Sequence, residues 1–99
     1  MADAGAQVVG RVREQIPLFN ETLEVVGQLT LCENGIIIKK DGNAIAPFSY
    51  IDTLQQKRRH SPNKVEAQLI VYDMLGMRRD FNFVIADTYF AMLNELRKR

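Results

Sequence analysis

Residues 35–51 read GIIIKKDGNAIAPFSYI, and the fold turns on how this stretch is read. Ile36, Ile37 and Ile38 are β-branched, and such side chains fit a pleated surface better than a helix. KDGN (40–43) supplies a turn, because glycine and its polar neighbours reach positive φ at little steric cost. AIAPFSYIDTL (44–54) then reads as a fourth strand, with Pro47 marking an edge or a bulge, since proline brings no ladder donor. Two strands joined by a tight turn form a hairpin. The stretch builds scaffold.

The same grammar extends in both directions. In LEVVGQLTL (23–31), Leu23, Val25, Leu29 and Leu31 share one parity and Glu24, Gln28 and Thr30 the other, the pattern of a half-buried strand. ENG (33–35) predicts a hairpin turn with positive φ. QVVGRVRE (7–14) predicts a first strand, which QIPLFNE (15–21) breaks into a loop through Pro17 and Asn20. Downstream, QQKRRHSPN (55–63) reads as a polar, basic loop. Val65, Ala67, Leu69 and Val71 then alternate, Gly76 turns the chain, and Phe81, Phe83 and Ile85 alternate again. Only the end changes period. Tyr89, Phe90, Leu93 and Leu96 line one helical face, Asp87 is placed to cap it, and Arg97, Lys98 and Arg99 sit where the helix dipole favours cations.

The chain has 99 residues, which suits one domain over 7–99 behind a short tail at 1–6. With 46% hydrophobic and 25% charged residues it has ordinary globular composition. A formal net charge of +1 argues against a nucleic-acid binder, which normally carries a strongly basic face. The single cysteine, Cys32, excludes an internal disulfide and reads as a small buried hydrophobe. No basic, apolar leader opens the sequence, and no window nears the ~20 apolar residues of a membrane-spanning helix. A soluble, cytoplasmic protein is expected.

About six sequential strands and one terminal helix define a mainly β protein, an antiparallel meander with one face or end left for the helix to cover. GQLTLCENGIIIKKDG (27–42), IAPFSYIDTL (45–54) and QLIVYDMLGMRRDFNFVIADTYFAMLNEL (68–96) together resemble the pleckstrin-homology-like superfold, of the GRAM and prokaryotic type. The resemblance covers roughly residues 7–98. It implies a bent barrel or sandwich capped by the C-terminal helix, and a non-catalytic adaptor or scaffold role in signalling. The family's usual helix tryptophan is missing, and Phe90 or Leu93 would take its place. The V-G-R, G-Q and proline-bearing strands also resemble the N-terminal region of archaeal taxis adaptors of the CheF type.

The inventory of reactive groups speaks against an enzyme. His60 is the one histidine, set between cations in the basic loop. Neither a nucleophile–histidine arrangement nor metal-ligand spacing nor a phosphate-cradling glycine motif occurs, so no cofactor is implied. What remains is surface. Lys57, Arg58, Arg59 and Lys64 form either a solvated loop or a patch for anionic lipid, at roughly 1 kcal/mol per cation near a charged bilayer. Ile16, Leu18 and Phe19 either plug the core or form a contact patch for a partner. An edge strand can accept an extended peptide, and the strand opposite the one bearing Pro47 is the better dock. A protein partner is therefore the leading expectation, with an anionic membrane surface and self-association behind it.

Overall fold

The computed structural model describes residues 9–97. The tail at 1–6, the beginning of the strand expected at 7–14, and Lys98 and Arg99 lie outside the described residues. Seven strands and one helix follow in order: β1 (Val12–Phe19), β2 (Val25–Cys32), β3 (Gly35–Lys39), β4 (Asn43–Pro47), a 3-10 turn (Phe48–Tyr50), β5 (Ile51–Ser61), β6 (Lys64–Tyr72), β7 (Arg78–Ala86) and α1 (Asp87–Arg97). They form one antiparallel sheet in the order β4-β3-β2-β1-β7-β6-β5. The sheet does not close, because β4 and β5, consecutive in the chain, are its two edges.

Pro47 explains that separation. The segment expected as a single fourth strand over 44–54 is two strands. Pro47 ends β4 at φ −56 and ψ 156, and Phe48–Tyr50 turn the chain before β5 begins. Hence there are seven strands rather than six.

Among the described residues a single ladder pair joins the two halves of the sheet. β1 pairs with β7 only through Phe19 and Val84. Farther along β7, Arg79 Nη1 donates to the Asn43 carbonyl at 3.1 Å, so β7 passes along the turn ends of the first strands. The chain is bent around a single core formed by Ile16, Leu18, Leu29, Ile36 and Ile38 from one half and Val65, Leu69, Phe81, Phe83 and Ile85 from the other. The helix lies against β6, β7 and the 3-10 turn. It closes the core with Leu93, while Tyr89, Phe90 and Leu96 pack around the margin. The Tyr89 hydroxyl donates to Glu14 Oε1 at 3.0 Å and ties the helix back to β1. That carboxylate is also the main reason the Tyr89 phenol titrates above its ordinary range.

The expected alternation holds in β6 and β7, where Val65, Ala67, Leu69, Val71, Phe81, Phe83 and Ile85 all point inward. Four readings need correction. The first strand is shifted, since Ile16-Pro17-Leu18 lies inside β1 and not in a loop. β1 has no ladder on its β7 side at Pro17, so a missing donor is tolerated there. Leu23 and Val25 are exposed, because β2 begins only at Val25 and Leu23 turns the chain at φ 65. Gly35 does not take positive φ; its glycine is a matter of room, for a Cβ would collide with the Ala46 carbonyl and stand 2.6 Å from Val9 Cγ1. Asp41 and Gly42, at φ 53 and 113, do make the left-handed turn expected at 40–43. Finally, residues 55–61 are not a loop but most of β5, leaving only Pro62 and Asn63 to turn into β6.

Leu93 is the helix residue sealed against the sheet, at 3% exposure. Leu93→Ala is expected to lower the unfolding free energy by about 2–4 kcal/mol. Met92→Ala, one position along at 41% exposure, should change it by less than about 0.5 kcal/mol. Urea denaturation of both variants measures the contrast.

Candidate functional site

The basic residues singled out in the sequence are strand residues of the second half-sheet, and they divide between its faces: Arg58 goes with the outward Glu66, whereas Arg59 stands across from the buried Val65 and turns to the start of the helix. Arg58 stands across from Glu66 in the β5–β6 register and forms a close ion pair with it, with Glu21 Oε1 3.8 Å away on its other side. The hydrogen bond and charge of Glu66 hold the Arg58 guanidinium above its ordinary pKa. Arg59 Nη1 lies 3.1 Å from Asp87 Oδ2 and also donates to the Pro62 carbonyl at 3.0 Å. Asp87 therefore opens the helix while balancing Arg59, and its own amide donates to the Asn63 carbonyl. Lys64 sits 5.6 Å from the centre of the Phe19 ring, within cation–π range. Lys57 donates to Asn82 Oδ1 at 3.3 Å. Arg58 and Arg59 thus each have a carboxylate to answer, and the belt joins strands as much as it offers charge outward.

His60 belongs to the same belt. Its Nε2 donates to the Glu21 carbonyl at 2.7 Å, while Nδ1 is buried with no hydrogen-bond partner among the described residues. The histidine is half-buried and fastens the β1–β2 turn to β5, where the sequence suggested a solvated loop residue. That turn is itself internally tied. Asn20 Oδ1 accepts from the amides of Thr22 and Glu24 at 3.0 and 2.9 Å. Asn20 Nδ2 and the Thr22 hydroxyl both donate to Glu24 Oε1, and they draw the Glu24 carboxyl below its ordinary value of 4.5.

Of the apolar trio, Ile16 and Leu18 are completely buried and make no contact patch. Alternation through Pro17 sends both into the core, and only Phe19 remains half-buried, at the seam between the two half-sheets. Beside that seam lies a cleft of about 420 Å³ lined by Phe19, Val26, Lys40, Lys57, Asn82 and Phe83, among others. It has an apolar floor and a rim of mixed charge.

The remaining feature is backbone. β4 is a five-residue edge that ends in Pro47. β5 is an eleven-residue edge, paired with β6 on one side only. Its register is regular from Thr53 to Gln56 and shifts between Ile51 and Thr53, between Gln56 and Arg58, and between Arg59 and Ser61. Gln55 through Arg59 are all exposed along it. Thr53, Gln55 and Gln56 are the binding candidates that charge and hydropathy do not single out; the signal for them is the position opposite the proline-bearing edge.

Among the described residues no group of three or more His, Cys, Asp or Glu side chains is placed to hold a metal ion. Nor is any helix there long and apolar enough to cross a membrane. Comparison with known protein families, with curated proteins and with solved structures finds no match.

The Glu24 cluster gives a pH prediction. A carboxyl whose folded pKa is depressed contributes stability that is present above its unfolded value and lost as pH falls through the folded one. Glu24 should therefore titrate below 4.5 by NMR, and Asn20→Ala should return its midpoint toward that value. An unshifted midpoint in the wild-type chain would show that the turn is not held this way.

Proposed function

We propose that this chain is a non-catalytic interaction domain that takes an extended segment of a protein partner along the free edge of β5. The observation that carries the reading is the contrast between the two edges of one sheet: β4 is short and closed by Pro47, whereas β5 has eleven residues with one side unpaired. An incoming strand satisfies exposed ladder groups, each new backbone hydrogen bond being worth about 1 kcal/mol net. The regular register over Thr53–Gln56 gives it a flat place to start. Lys57, whose ammonium donates to the amide oxygen of Asn82 and pairs with no carboxylate among the described residues, favours acidic side chains in the segment. An adaptor or scaffold role in cytoplasmic signalling, with a PH-like ancestry, accords with this reading. The alternative of anionic lipid held by Lys57, Arg58, Arg59 and Lys64 together with Ile16, Leu18 and Phe19 has less support, since the arginines are compensated and two of the apolar residues are buried.

Selection of ten-residue peptides from a random displayed library against the immobilised domain tests the proposal. Selected peptides should be extended and acidic, should shift the amide resonances of Thr53, Leu54, Gln55 and Gln56, and should lose binding when a central residue becomes proline. Lys57→Glu should weaken them by about five-fold, the scale of one partly exposed charge contact. Peptides that bind but map onto another surface would refute the β5 assignment.

A further inference from the structure

The β6–β7 turn carries the most exposed large apolar side chain of the described residues, Leu75, and gathers three more exposed ones around it. Leu75 is 87% exposed, Met77 60% and Met74 48%, and Tyr72 stands exposed at the base of the same hairpin. A protruding apolar turn is usually disfavoured in water, and its polar backbone would usually make it equally ill-suited to a dry phase. Here the backbone is already provided for. Asp73 Oδ1 accepts from the amides of Leu75 and Met77, each at 2.9 Å. The Asp73 carbonyl accepts from Gly76, and the Asp73 amide donates to the Met77 carbonyl, both at 3.0 Å. Gly76, at φ 79, supplies the left-handed residue that closes the turn.

The charge of Asp73 is answered from below. Its side chain is only 13% exposed and lies 3.7 Å from Arg79, which is fixed in turn to the Asn43 carbonyl. The tip therefore presents thioether and isobutyl groups outward and keeps its hydrogen bonds and its carboxylate behind them. Arg78 follows directly, its side chain 55% exposed and its nearest acid, Asp80, 3.9 Å away. Apolar groups lead and a cation stands one residue behind.

We propose that the β6–β7 tip inserts Met74, Leu75 and Met77 into the interfacial region of a lipid bilayer, with Arg78 meeting anionic headgroups. A less polar destination suits a turn in which the amides of Leu75, Gly76 and Met77 are already bonded, since those three donors need not be stripped of water without replacement. A cation at the height of the headgroups adds attraction that depends on the bilayer's charge. This surface is separate from the β5 edge, and neither proposal needs the other.

The chain contains no tryptophan, so Leu75→Trp places a single reporter at the tip. With vesicles of phosphatidylcholine containing phosphatidylserine at physiological salt, its emission should shift to the blue and be quenched by brominated acyl chains. Met92→Trp, exposed on the helix, should do neither. In sedimentation with the same vesicles, Leu75→Asp should reduce binding by about ten-fold or more, and Arg78→Gln by about three-fold on anionic vesicles alone. Unchanged urea midpoints confirm that both variants fold. An unshifted Leu75→Trp spectrum, an equal response from Met92→Trp, or vesicle binding that survives Leu75→Asp overturns the proposal and leaves the tip to an apolar pocket on a protein.

Discussion

The whole architecture hangs on the meeting of Phe19 with Val84. On one side of it are β4, β3, β2 and β1; on the other are β7, β6 and β5; and among the described residues no other ladder pair joins the two groups. A seam of one residue pair cannot hold two sheets by hydrogen bonding, given about 1 kcal/mol net for each bond. What holds them is the shared interior. Each inward Leu, Ile, Val or Phe removed from water contributes about 1.5–3 kcal/mol, and side chains from both halves meet across the bend. The seam sets the position of the halves and the core supplies the energy. The Arg58–Glu21 and His60–Glu21 contacts then draw the β1–β2 turn down over β5, which keeps the seam from splaying on its outer face.

Most of the sheet was legible because most of it obeys period two. β6 and β7 keep their inward parity from end to end, although Ile70 and Val84 on the other parity are buried as well. β3 announces itself by three β-branched residues, and α1 by a change of period. β5 was hidden for a physical reason. An outer strand has a free edge and an exposed face, and of Gln55, Gln56, Lys57, Arg58 and Arg59 none is drawn inward. Only Leu54 is buried along it. Such a segment has the composition of a loop, and nothing local distinguishes it from one; its strand character comes from β6.

β1 was obscured differently. Ile16 and Leu18 share a parity across Pro17, which is a strand pattern, but a proline in mid-strand ordinarily argues the other way. Its tolerance depends on the ladder being absent on one side of β1, a fact of the tertiary arrangement. The candidate site followed the same rule. The positions of the basic residues could be named from sequence, whereas their compensation could not, because Glu21, Glu66 and Asp87 come from three different elements.

The irregular pairing of β5 bears on how the protein behaves when crowded. A long unpaired strand is normally a template for sheet-to-sheet polymerisation. Here the ladder with β6 slips at three places, and each slip twists the edge away from the flat line that a second edge would need. Two identical edges laid antiparallel would also bring Lys57, which has no carboxylate partner among the described residues, toward the basic segment of the other copy. The slips thus count against self-pairing along most of β5 and leave the regular Thr53–Gln56 run as the part of the edge open to it.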